Sequence, residues 1–277
     1  MPTAACFHER QGDRLTTSDA KQWDPDQYER FRAERAKPFW DLAALVQPCP
    51  GGRVVDLGCG TGELTKELHQ LLQASETLGI DSSPSMLERA RPLAGTGLRF
   101  EEGDIATWYP APYDVVFSNA ALHWLPDHRR LLGRLTQAVP VGGQLAVQVP
   151  ANTDHPSHTV GMTLAGEAPF ADVFADDPPP DPATRVLAPE EYAELLDELG
   201  FGEQHVRLQV YVHHLGSSTD VVEWVKGTHL TYFRTRLTDE LYELFVERYR
   251  RRLLDVIGER EPYLYTFKRI LFWGRRT

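Results

Sequence analysis

The sequence predicts an α/β protein built on an open, mostly parallel sheet, and three observations carry that expectation. From Arg53 onward, short apolar runs alternate with helical patterns, the rhythm of strands joined by crossover helices. A glycine-rich turn, Asp56-Leu57-Gly58-Cys59-Gly60-Thr61-Gly62, falls where the first strand passes into the first crossover helix. Of the 277 residues 42% are hydrophobic, enough to bury a sizeable core and too many for a disordered chain.

Residues 1–22 lack the apolar core of a signal peptide and read as a flexible extension. Trp23 to Val46 reads as helix: Asp24 caps it, Pro25 suits the first helical position, and Pro38 closes one segment and opens a second. Tyr28, Phe31 and Arg35 share a face there. Arg53 to Leu57 is the first strand, followed by a helix with Leu64, Leu68 and Leu71 on one side. Thr77 to Asp81 is the second strand, and Pro84 opens the next helix. Leu98 to Glu101, Asp114 to Asn119 and Gln144 to Val149 follow as strands, with a helix after Asp127.

After Pro150 the rhythm breaks. Residues 151–187 are proline-rich and carry six acidic residues against one arginine, which suggests helix and loop outside the sheet. Pro189 to Leu199 reads as a sheet-covering helix and Gln204 to His214 as a strand. Thr219 to Lys226 and Thr238 to Ile257 read as amphipathic helices, the second with Leu241, Leu244, Phe245, Tyr249 and Leu253 as its stripe. Arg250, Arg251 and Arg252 on it read as a solvated face paired with Glu247 and Asp255, and Tyr263 to Trp273 is a last strand. The expected organisation is therefore an extension (1–22), N-terminal lid helices (23–48), a cofactor-binding core (49–150), a lid insertion (151–187), a core helix and strand (188–216), lid helices (217–260) and a final core strand (261–277).

A net charge of -11 is a poor footprint for nucleic acid or an anionic membrane, so neither is an expected partner. No apolar run approaches the roughly 18 residues that span a bilayer. Cys6, Cys49 and Cys59 fit neither a metal pattern nor a disulfide framework. These features point to a cytoplasmic protein without a metal, monomeric or weakly homodimeric.

The glycine turn lets backbone approach a ligand and leaves helix N-terminal amides free. A dinucleotide site wants G-x-G-x-x-G; here the pattern is G-x-G-x-G preceded by an acidic residue. That spacing resembles the class I S-adenosylmethionine methyltransferases, and the neighbouring strand ends agree with it. Asp56, Gly58 and Gly60 would form the floor. Asp81, 23 residues past Gly58, would accept the ribose hydroxyls, with Ser82 and Met86 beside it. Asp104 and Ile105 would hold the adenine, and Asn119 would lie by the methionine part and the reacting methyl. Trp23 would cover the cofactor.

Beyond these motifs the chain resembles the trans-aconitate 2-methyltransferase family. The resembling segments include Trp23-Asp24-Pro25-Asp26-Gln27-Tyr28, Glu34-Arg35-Ala36-Lys37-Pro38, Gly79-Ile80-Asp81-Ser82-Ser83-Pro84, Asp104-Ile105-Ala106-Thr107-Trp108, Leu122-His123-Trp124-Leu125-Pro126-Asp127-His128, His155-Pro156-Ser157-His158 and Glu223-Trp224-Val225-Lys226-Gly227-Thr228. The resemblance implies a Rossmann-like class I methyltransferase sheet, mostly parallel with its last strand antiparallel, carrying helical lid insertions and N-terminal helices. It also implies S-adenosyl-L-methionine as cofactor and methyl transfer to a carboxylate of a small unsaturated polycarboxylic acid. Related carboxyl methyltransferases hold the carboxylate with residues that match Arg35 and Trp124, and an arginine fork suits a polyanion. His123 would hydrogen-bond the acceptor, and Tyr28, Lys226 and His229 would line its pocket. His155 and His158 read as solvated loop residues. The chain departs from the family pattern at His123, where several members have Gln, and at His229, where Gly is expected. Two alternatives stand beside this reading: methylation of a phenol, amine or carbon acid with His123 as base, and a cofactor-binding module without catalysis.

Overall fold

In a computed structural model that describes residues 32–108, 111–179 and 186–277, seven strands form one sheet. The elements are α1 (Arg32–Ala43), β1 (Arg53–Leu57), α2 (Glu63–Leu71), β2 (Glu76–Asp81), α3 (Pro84–Ala90), β3 (Leu98–Glu102), β4 (Val115–Asn119), α4 (His128–Leu135), β5 (Gln144–Pro150), α5 (Pro156–Ala165), α6 (Pro189–Glu198), β6 (Glu203–Leu215), α7 (Asp220–Lys226), α8 (Thr231–Arg234), α9 (Asp239–Ile257) and β7 (Tyr263–Arg275). The strand order is β3-β2-β1-β4-β5-β7-β6. The first five strands pair in parallel, and β7 runs antiparallel between β5 and β6. Order reverses between β1 and β4, the switch point where open sheets of this kind form a crevice at the carboxyl ends of their strands.

Central strands are apolar on both faces because helices cover both. Alternation sends Val54 to one side with Phe117, Ala146 and Leu271, and Val55 to the other with Val116, Val147 and Phe272. The first side is closed by α1 through Phe39 and Leu42, and by α9 through Phe245, Tyr249 and Leu253. The second is closed by α4 and α6 through Leu132, Leu135, Tyr192 and Leu196.

Three sequence expectations need correction. Pro38 lies inside one continuous helix, α1, and divides nothing. A proline removes a single helical hydrogen bond, and burial of Phe39, Leu42 and Ala43 immediately after it holds the helix on the sheet. The second correction concerns Arg252, which pairs with both oxygens of Glu167 at 2.6 Å, while Arg250 reaches Glu223 at 3.8 Å. Arg250 and Arg252 thus tie α9 to α7 and to the turn after α5, because packing of the inserted segments brings those carboxylates within reach.

The third correction is that His155 and His158 are half-buried and hydrogen-bonded, not solvated loop residues. His155 caps α5, its Nδ1 accepting the Ser157 N–H at 3.1 Å, and both rings lie within reach of the buried Ser157 hydroxyl. Tyr249 donates to the Ser157 carbonyl at 2.7 Å, so the first turn of α5 is fixed from α9. The two inserted segments meet through the aromatic pairs Phe170–Phe245 and Phe174–Phe233, at 5.0 and 5.8 Å. Among the described residues, no helix is long and apolar enough to cross a membrane.

Candidate active site

The glycine turn leaves β1 with positive φ at Gly58, Gly60 and Gly62, a conformation that a side chain opposes. At Gly58 a Cβ would also come within 2.2 Å of the Ala121 methyl, so the turn and the end of β4 pack against each other. At Gly60 nothing lies within 4 Å of a Cβ position, which leaves that face open to a ligand. The turn is clamped to β2: Gly60 N–H donates to Asp81 Oδ2 and Ser83 N–H to Oδ1, each at 2.9 Å. Burial raises the Asp81 pKa, and these backbone hydrogen bonds oppose the rise. With a further backbone hydrogen bond from Ser82, three acceptor sites of the carboxylate are taken and one remains for a ligand donor.

Asp56 lies beneath the turn, buried, and accepts from Thr65 Oγ1 at 2.6 Å. Burial pushes its carboxyl up to about 7 against the pull of that hydrogen bond, and the Asp81 charge adds to the rise. Asp56 therefore secures the first turn of α2. Ser82 is exposed at the end of β2, and Met86 is buried one turn into α3, whose N-terminus Ser83 caps.

At the end of β3, Asp104 is exposed and its Oδ1 accepts from the Ala106 N–H at 2.8 Å, forming a tight turn that presents Ile105. Arg134 of α4 holds that turn from behind, donating to the carbonyls of Ile105 and Trp108 at 2.6 Å each. At the end of β4, Asn119 leads into Ala120 with φ 54 and then a short turn over Leu122–Trp124. The His123 and Trp124 rings lie 4.6 Å apart, and Trp124 is 45% exposed, facing out of the core. Asn119 Oδ1 is buried without a hydrogen-bond partner among the described residues.

The inserted segments contribute histidines. His229 packs its ring on His158 at 4.6 Å and meets the edge of Phe233 at 5.4 Å; Gly161 supplies the notch, since a Cβ there would lie 2.9 Å from His229 Nε2. Burial drives the His158 pKa well below the imidazole range, helped by the charges of His229, His155, Arg269 and His123. Burial also lowers His229 to about 4. Both rings are neutral near pH 7. Lys226 pairs with Glu223 at 2.7 Å, which reduces its value as a free cation for the site.

Gly58, Gly60, Asp81, Asp104, Ile105, Asn119, His123 and Trp124 thus gather at the carboxyl ends of β1 to β4. Trp23, Tyr28 and the side chain of Arg35 lie outside the described residues. Sequence reasoning missed Arg134, His128 and Gln148, which depend on long-range pairing, and His158, for which its place one turn from the His155 cap was an available signal. No cluster suited to a metal ion occurs among the described residues. The crevice offers open backbone, a clamped carboxylate and a buried amide side by side, a setting for a polar nucleoside-bearing ligand and a second small molecule.

A family model described as a methyltransferase domain matches residues 54–143. The trans-aconitate 2-methyltransferase of Deinococcus radiodurans is 43% identical over 256 residues, covering 92% of this chain and 98% of that protein. Those of Methylobacterium nodulans and Streptomyces avermitilis are 39% and 40% identical, each over 92% of this chain and over 98% and 94% of the relative. Among solved structures, the YcgJ protein of Bacillus subtilis superposes with a TM-score of 0.55 at 15% identity, over 87% of this chain and 98% of that one. A phosphoethanolamine N-methyltransferase 2 of Haemonchus contortus, solved with phosphomonomethylethanolamine and S-adenosylhomocysteine, gives 0.54 at 14% identity, over 94% and 59%. At such identities the structures share the fold alone.

Proposed function

The chain belongs to the trans-aconitate 2-methyltransferase family of S-adenosylmethionine-dependent methyltransferases, and from that premise we propose that it methylates a carboxylate of trans-aconitate, forming a monomethyl ester and S-adenosylhomocysteine. The observation that carries the cofactor half is the Gly60–Asp81 clamp: an open backbone face beside a carboxylate that can still accept a ligand donor. The residues present fit the cofactor. Asp81 would accept from the ribose hydroxyls, the Asp104–Ile105 turn would border the adenine, and the unpaired Asn119 Oδ1 would accept from the ammonium group. Gly58 and Gly60 would admit the amino-acid portion, above Asp56.

When bound, S-adenosylmethionine supplies an electrophilic methyl whose leaving group is a neutral thioether. A carboxylate acceptor is already anionic near pH 7, so the protein needs no base for it. Its task is to hold the acceptor oxygen in line with the methyl group and to exclude water. Arg35 and Trp124 would orient the acceptor, and His123 would hydrogen-bond it, with Tyr28, His229 and Lys226 bordering its pocket. The relatives lend no support to His123 as a base for a neutral acceptor, or to a module without catalysis. A cytoplasmic enzyme, monomeric or weakly dimeric and without nucleic-acid partners, completes the reading; the charge of -11 supports its last element.

The test is incubation of the purified protein with S-adenosylmethionine and a panel of acceptors, with ester and S-adenosylhomocysteine read by mass spectrometry. Ester from trans-aconitate is expected. Turnover confined to a phenol or an amine overturns the carboxylate acceptor.

A further inference from the structure

Gln148 lies at the end of β5, is 1% exposed, and its Nε2 has no hydrogen-bond partner among the described residues. Its register partner across the parallel pair is Asn119, whose Oδ1 is likewise unpartnered. Register partners project from the same face of a sheet. A donor and an acceptor on adjacent strands thus stand side by side, buried, without bonding each other. Buried polar groups are normally satisfied, so a third group is implied between or beside them.

The face is the one that α1 covers. Phe117, two residues before Asn119, packs edge-on against Phe39 of α1 at 5.2 Å. On the other side of β5, Gln148 is paired with Leu271 of β7, and Arg269 follows two residues along on the same face, opposite Pro150. The Arg269 guanidinium lies 5.4 Å from the centroid of the Phe267 ring. The backbone beneath is fixed, because the Gln148 carbonyl accepts the Ala120 N–H at 2.9 Å.

Polarity sorts the two unpartnered atoms. A carbonyl oxygen such as Asn119 Oδ1 repels a carboxylate and suits an ammonium. An amide N–H on the same sheet face as a guanidinium suits a carboxylate. Neighbouring strands are about 4.8 Å apart, so the cofactor and the acid would meet across one strand spacing.

We propose that Gln148, with Arg269 of the same sheet face, binds a carboxylate of the acceptor and sets the preference for polycarboxylic acids. The inference rests on the acceptor class proposed above.

The test compares wild type with Gln148→Leu and Gln148→Glu. It measures kcat and KM for trans-aconitate at saturating S-adenosylmethionine, KM for an analogue lacking one carboxylate, and cofactor Kd by calorimetry. Loss of a hydrogen bond to a charged group predicts that Gln148→Leu raises the acid KM by about tenfold to a hundredfold, with cofactor Kd changed less than about twofold. The KM advantage of trans-aconitate over the truncated analogue should shrink, a readout that a structural role would not move. Gln148→Glu preserves the shape, sets an anion against the acid and should be worse still; it carries the test if the leucine variant does not fold. An active wild type whose acid KM is unchanged in the variants, or whose cofactor affinity falls in step with it, assigns Gln148 to a buried water or to packing and overturns this inference alone. A wild type that esterifies no carboxylic acid overturns the acceptor class and this inference with it.

Discussion

Tyr192 and His128 meet in a buried hydrogen bond of 2.5 Å that joins α6 to the turn bearing His123 and Trp124. Its polarity is determined by the other end of the ring. His128 Nε2 faces the Leu122 carbonyl at 3.0 Å, a group that only accepts, so the proton is on Nε2. Burial lowers the His128 pKa and keeps the imidazole neutral, so Nδ1 accepts and the Tyr192 hydroxyl donates. The phenol oxygen in turn accepts the Leu187 N–H at 3.3 Å. Three hydrogen bonds therefore run from the end of the proline-rich insertion to the Leu122–Trp124 turn.

Tyr192→Phe leaves Nδ1 of His128 buried without a donor. The cost should be about 1–3 kcal/mol, seen as a lower denaturation midpoint. Because the loosened element is the Leu122–Trp124 turn, acceptor kcat/KM should fall more than cofactor affinity. Equal losses in both would show that the relay supports the whole sheet and not the turn.

Asp81→Asn replaces one carboxylate oxygen with an amide nitrogen, which must face either the Gly60 or the Ser83 N–H. One of the two 2.9 Å hydrogen bonds becomes a donor–donor contact. Cofactor affinity should drop by about tenfold or more, from the displaced turn and the lost ribose acceptor together. Calorimetry giving wild-type affinity would remove Asp81 from the ribose site.

Neutral, half-buried histidines make the inserted segments sensitive to acid. The pKa values of His158 and His229 are lowered in the folded protein, His229 to about 4, so below about 6.5 the unfolded chain takes up protons first. Stability from these groups is fully present above that value and is lost as pH falls towards 4. His229 alone would contribute a loss of up to about 2 kcal/mol by pH 5. Thermal denaturation across this range should show the decline, and His229→Phe should flatten it. A variant with the wild-type slope would exclude His229 as a source.

The strands and the glycine turn were legible because each is a local signal. Buried runs such as Val54 to Leu57 need no knowledge of their neighbours, and positive φ at Gly58 and Gly60 is what the residue type announces. Asp81 was readable from its spacing to the turn. Gln148 was not: a glutamine among the apolar residues of β5 carries no local mark of a site, and only the strand order places it between Asn119 and Leu271, on the face that carries Arg269. Arg134 was silent for a similar reason, since its partners are backbone carbonyls on another strand end. His155 and His158 looked solvated because the polar segment around them gives no hint that α9 will cover it.

The identity of the acceptor finally bears on His123. An ionised carboxylate has no proton to remove, whereas a phenol, amine or carbon acid requires a base, and His123 at the β4 end is the side chain placed to supply one. A general base imposes an acid limb on kcat/KM, with activity falling about tenfold per pH unit below its pKa. With trans-aconitate as acceptor, no limb of unit slope is expected between about pH 7 and 5.5, and His123→Gln should keep substantial activity, since an amide can still donate to a carboxylate. The acid sensitivity of the inserted segments must be separated from this effect, so circular dichroism at each pH should first define the range over which the fold is intact. Within that range, a unit-slope limb abolished in His123→Gln along with most turnover would overturn the carboxylate mechanism and make His123 the base for a neutral acceptor.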